Sequence, residues 1–218
     1  MGELAPVTLD RTVAFLEKSD GRDKFVKALQ NFLKYLVWMY AAKGDKDTSN
    51  VYKKLASALS EYRSINKFGK PFKALKDIRS IGNPGDIADT MDVATNIFDI
   101  VYKFGDNLEF LSKYKILGFN PDDMERHSKA AQFWCYLTQF LLDLIEYGKL
   151  QKLDAEQREK KWRKLRLDLL KDTTDLLRVA PPYIKRYVPA MPTHDGFASI
   201  MGTIAGATGA YGVWLKTK

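Results

Sequence analysis

Apolar side chains recur every three or four positions through most of this chain, which is the period of an α-helix. Residues 62–81, YRSINKFGKPFKALKDIRSI, show it best, with Ile65, Phe68, Phe72, Leu75 and Ile78 in step. Upstream, a short helix is expected over residues 9–17, with Thr8 as its cap. A longer one over residues 22–42 aligns Phe25, Leu29, Phe32, Leu36 and Met39 on one face. Ser19 or Asp20 can cap it, and Asp23 suits the positive end of its first turn. After a polar loop at residues 43–47, a helix from Thr48 or Ser49 carries Val51, Leu55, Leu59 and Tyr62 into the stretch above. Gly69 and Pro71 predict a break or kink within that stretch.

The second half continues the same period. Ile81-Gly82-Asn83-Pro84-Gly85 predicts a hinge, and residues 86–117 then align Ile87, Met91, Ala94, Phe98, Val101, Phe104, Leu108 and Leu111. Ile97, Ile100 and Tyr114 form a second apolar flank, and Gly105 marks a close approach of two helices. Asn120 is a candidate cap for the next helix. Residues 129–147 are apolar nearly all round, so they are expected to be buried. Gln132, Gln139 and Asp143 argue against lipid there, where an ionised carboxylate is costly. Residues 149–171 form a charged surface segment joining a helix from about Ala155, with Trp162, Leu165, Leu169 and Leu176 on its apolar side. Pro181 and Pro182 end it. Alternation of period two is absent, so the fold class is all-α, with about six or seven helices expected.

Charge changes the reading of residues 62–81. Between Arg63 and Arg79 lie six basic residues and one acid, Asp77. Arg63, Lys67 and Lys70 take the side opposite the phenyl rings, and Lys73 flanks it. Two readings are open. One is an amphipathic helix in an anionic membrane surface, its membrane-binding set Arg63, Ile65, Lys67, Phe68, Lys70, Phe72, Lys73, Leu75 and Ile78. The other is a bundle helix with a solvated basic face. The net charge of +8 on 218 residues is concentrated in this window. Nucleic acid would suit the same charges, but no zinc-finger spacing, ribonucleoprotein motif or recognition helix is present, so no nucleic-acid partner is expected.

Residues 197–215, FASIMGTIAGATGAYGVWL, carry no charge and reach the length of a hydrocarbon core. Ala198, Gly202, Gly206 and Ala210 repeat every fourth residue, the small-residue row that lets helices approach closely in lipid. Tyr211, Trp214, Lys216 and Lys218 resemble an interfacial anchor. A glycine-rich C-terminal transmembrane helix is therefore expected. The chain divides at residues 1–148, holding the membrane-remodelling helix (about 48–81) and the apolar helix 129–147, and residues 149–218, holding the basic linker, a helix and the membrane segment.

Catalytic chemistry finds little support. His127 and His194 are far apart in sequence, and no GxSxG, phosphate-binding glycine loop or CxxC occurs. No enzyme, metal or cofactor is expected. The single cysteine, Cys135, reads as a small buried hydrophobe. The first residues lack the basic-then-apolar order of a secretory signal, and Pro6 breaks the myristoylation pattern that Gly2 opens.

Four stretches together resemble the peroxin-eleven family. They are FLEKSDGRDKFVKALQNFLKYL at residues 15–36, FGDNLEFLSKYKILG at 104–118, the Trp134-containing segment at 130–150, and LLKDTTDLLRVA at 169–180 paired with the glycine-rich 196–214. The resemblance covers nearly the whole chain, and its basic amphipathic segment falls on residues 62–81. Pro71 inside that segment and a short linker at 151–161 depart from the pattern. The resemblance implies a non-enzymatic protein of the peroxisomal membrane that inserts amphipathic helices and self-associates. It would elongate the organelle ahead of dynamin-type fission. It also implies an alternative, a pore for small metabolites, for which Gln132, Gln139 and Asp143 are the natural lining. A soluble helical adaptor is a third possibility from the sequence alone.

Overall fold

In the computed structural model, which describes residues 7–217 apart from Gly82 and the side chain of Lys160, the chain is all-helical. Gly2, Pro6, Gly82 and Lys218, on which the acylation, hinge and anchor readings touched, lie outside the described residues. The helices are α1 (Leu9–Glu17), α2 (Ser19–Ala42), α3 (Lys46–Asn66), α4 (Lys70–Ile81), α5 (Ile87–Lys113), α6 (Pro121–Leu150), α7 (Ala155–Val179), α8 (Pro181–Ile184) and α9 (Asp195–Leu215). No strand is found among the described residues.

Local chemistry sets most of these boundaries. Thr8 caps α1 by accepting from the Arg11 N–H, Asp45 caps α3 from Thr48 at 3.0 Å, and Asp86 caps α5 from Asp89 at 2.8 Å. Asn120 caps α6, with Pro121 as its first residue, and Asp154 caps α7. The donated amides hold the Asp45 and Asp86 carboxyls below the usual carboxylate range. The expected break at Gly69 is present: α3 stops at Asn66, Gly69 takes φ +82°, and α4 restarts at Lys70. A side chain rarely tolerates that φ, so glycine is what permits the corner. One expectation fails here, since α2 begins at Ser19 with Lys18 as an N-cap that makes no side-chain cap hydrogen bond.

Packing follows a closed circuit. α5 lies on α6, α6 on α7, α7 on α9, α9 on α2, α2 on α3, and α3 returns to α5; α1 leans on α2 and α4 on α5. At Gly105 α5 and α6 come close, a Cβ there falling 3.0 Å from Ser128 Cβ. The interior of this ring is polar. It buries Asp23, Lys27, Gln30 and Asn31 of α2, Thr95, Tyr102 and Asn107 of α5, Ser128, Gln132, Thr138 and Asp143 of α6, and Asp172, Thr174 and Asp175 of α7. Phe25, Leu29 and Phe32 of α2, Ile97, Val101 and Phe104 of α5, and Trp134, Leu141 and Leu144 of α6 face outward and are exposed. Soluble proteins have the opposite order, because polar groups are costly to bury and apolar ones are costly to leave in water.

Candidate functional site

The corner between α3 and α4 holds most of the residues that the sequence marks for membrane contact, and the structure sorts them by polarity. Ile65, Phe68, Phe72 and Leu75 are exposed, Phe72 to 74%. Pro71 and Ala74 are buried where α4 lies on α5, and Ile78 is half-buried. Phe68 approaches Phe110 edge to face, with centroids 6.2 Å apart. The apolar residues therefore form an outward ridge that crosses the Gly69 corner.

Three of the basic residues point the other way. Arg63 donates through Nε to Asp23 Oδ1 at 3.2 Å and through Nη1 to Gln30 Oε1 at 2.9 Å. Lys70 Nζ lies 3.3 Å from the second Asp23 oxygen. Lys67 is buried, donating to Tyr102 Oη at 2.8 Å and pairing with Asp106. These three are therefore placed as struts from α3 and α4 to α2 and α5. Lys73, Lys76 and Arg79 remain exposed. Asp23 accordingly serves Arg63 and Lys70 rather than the amides of its own helix.

The ring interior is the second site. Lys27 pairs with Asp175, donating to Oδ2 at 2.6 Å, and Arg178 Nε lies 3.7 Å from Oδ1 of the same carboxylate. Ser128 Oγ donates to Asp106 Oδ1 at 2.7 Å and links α6 to the Lys67 pair. Thr95 donates to Thr138 at 2.8 Å, joining α5 and α6. Gln132 and Asp143 are buried, and half-buried Gln139 lines a cleft of about 370 Å3 between α5 and α6. Sequence reasoning missed Lys27, Asp175 and Arg178. A signal existed: Asp23, Lys27, Asn31 and Lys34 are spaced by four, four and three, a polar stripe of helical period beside Phe25, Leu29 and Phe32.

The C-terminal helix corrects another expectation. No helix among the described residues is long and apolar enough to cross a membrane. Serine, threonine and glycine dilute the hydropathy of α9 below that of a span. Its small residues serve packing within the chain: a Cβ on Gly206 would sit 2.5 Å from the Ala28 amide nitrogen, and one on Gly202 would strike Asn31 and Arg178. Gly202 and Gly206 are buried, while Ala198 and Ala210 of the same row are half-buried. His194 caps α9, its Nδ1 accepting from Phe197 at 3.0 Å, and its ring stacks on Trp38 of α2.

A family model described as peroxisomal biogenesis factor 11 (PEX11) matches residues 9–214. No curated protein and no solved structure matches the chain.

Proposed function

We propose, for a chain that belongs to the peroxisomal biogenesis factor 11 (PEX11) family, that its outward apolar faces enter the lipid and remodel it. As a member, the protein is a peroxisomal membrane protein with a role in peroxisome proliferation. The observation carrying the proposal is the inverted polarity, concentrated at the α3–α4 corner. There Ile65, Phe68, Phe72 and Leu75 are exposed while Arg63, Lys67 and Lys70 are held inward by carboxylates. A ridge of that kind, sunk about 5–10 Å into one leaflet, expands that leaflet and favours positive curvature. Lys73, Lys76 and Arg79 stand beside the ridge, within reach of lipid phosphates. Copies of the chain gathered on one membrane would sum their wedges into elongation ahead of dynamin-type fission, without catalysis. Vesicle flotation and tubulation with the full-length protein test this. Binding and tubulation of anionic liposomes that survive Phe68→Glu with Phe72→Glu would sink the proposal.

A conduit for small polar solutes is the second reading, and the closed ring with its polar lining favours it. Amphipathic helices that hide their polar faces from lipid together need not be apolar singly. Single-channel recording in planar bilayers separates the two: tubulation without conductance leaves the wedge alone.

A further inference from the structure

Three clefts share Lys129 and Arg178 in their walls, with volumes of about 800, 460 and 270 Å3. The largest is lined by four cations, Lys34, Lys53, Lys129 and Arg178, and among the described residues by one carboxylate, Asp195. Lys129 is ion-paired with Glu125 at 2.6 Å, and Arg178 leans toward Asp175. Among the described residues Lys34 and Lys53 have neither ion pair nor hydrogen bond, and Arg178 Nε is buried without a hydrogen-bond partner. Ser57 and Ser60 of α3 add hydroxyls to the same wall.

Lys34, Lys53 and Ser57 are solvent-exposed along this cleft, and unbalanced positive charge gathered on a concave surface raises the local concentration of anions. A guanidinium beside ammonium groups and hydroxyls matches the several oxygens of a phosphate. We propose that this junction binds a phosphate group, with Lys34 as its principal cation, Lys53 and Arg178 flanking it, and Ser57 and Ser60 as neutral donors. The group comes either free in solution or on a lipid headgroup. The assignment rests on this cleft and stands apart from the membrane reading.

The test uses full-length protein in neutral detergent at constant ionic strength, with inorganic phosphate titrated against chloride and thermal unfolding followed. The midpoint should rise saturably with phosphate. Lys34→Gln should raise the half-saturating concentration on the order of tenfold, the loss of one charge-assisted contact. Lys34→Arg should retain binding, and Lys152→Gln, exposed between α6 and α7 and outside both the cleft and the α3–α4 corner, should behave as wild type. A second arm compares nanodiscs of phosphatidylcholine with and without phosphatidic acid. A Lys34-dependent shift only in that arm identifies the lipid headgroup as the source. If Lys34→Gln lowers the midpoint without phosphate, Lys53→Gln takes its place in both arms. The proposal is overturned if neither arm gives a shift, or if the cleft variants and Lys152→Gln respond alike.

Discussion

Replacing Phe68 and Phe72 by glutamate should cost membrane binding and leave the fold intact, whereas replacing Lys67 by glutamine should do the reverse. Burying a phenylalanine side chain is worth about 1.5–3 kcal/mol. Phe72 keeps 74% of its surface free in the folded chain and Phe68 keeps 45%. Those fractions leave the pair about 2–3.5 kcal/mol for lipid, so the double variant should partition roughly 30- to 400-fold more weakly. Its thermal midpoint in detergent should change little. Lys67 is 9% exposed and shares Asp106 and Tyr102. Removing its charge leaves the half-buried Asp106 carboxylate with the Ser128 hydroxyl, at about 1–3 kcal/mol. The assay is liposome flotation and thermal unfolding on the same purified variants. A double Phe variant that loses its unfolding transition, alongside a Lys67→Gln variant that melts normally but binds lipid poorly, would refute this reasoning.

Salt dependence supplies a second check: with Arg63, Lys67 and Lys70 engaged inside, Lys73, Lys76 and Arg79 are the exposed cations of this stretch. Reversing those three should weaken binding at low salt by about 1 kcal/mol each and do little at high salt, measured by flotation across a salt series. Gly206→Val should destabilise the α2–α9 contact by several kcal/mol, roughly the scale of a forced overpacking, because its Cβ meets the Ala28 backbone at 2.5 Å. Gly212→Ala has nothing within 4 Å of its new Cβ and should be neutral or slightly stabilising in the same melts. Lys27→Met alone should destabilise by about 3–5 kcal/mol by leaving Asp175 less compensated. Combining it with Asp175→Leu should cost less than the two single changes added, read as the coupling in a double-mutant cycle.

Most of the helix pattern was legible along the chain. Caps at Thr8 and Asn120, the corner at Gly69 and Pro71, and the stop at Pro181 are local signals that tertiary packing does not have to supply. Gly105 was legible as a close approach, since a missing Cβ has a definite use in a helix interior. The division of residues 62–81 was also marked, though the count of helices was short because α4 and the four-residue α8 needed the backbone to declare them.

The direction in which each helix turns its apolar face came only with the tertiary structure. A helical period identifies an axis of amphipathicity and gives it no sign: in water the apolar side turns inward, and against lipid it turns outward. Arg63, Lys67 and Lys70 were therefore read as contacts for lipid phosphate, and the fold uses them to hold α3 and α4 on Asp23 and Asp106. Asp23 lies 40 positions from Arg63 and Asp106 lies 39 from Lys67, beyond any local rule. The small residues of α9 were read for a span for the same reason, because closeness of backbones leaves the partner unnamed. The partners are α2 and α7 of the same chain, and only the closure of the ring decides it.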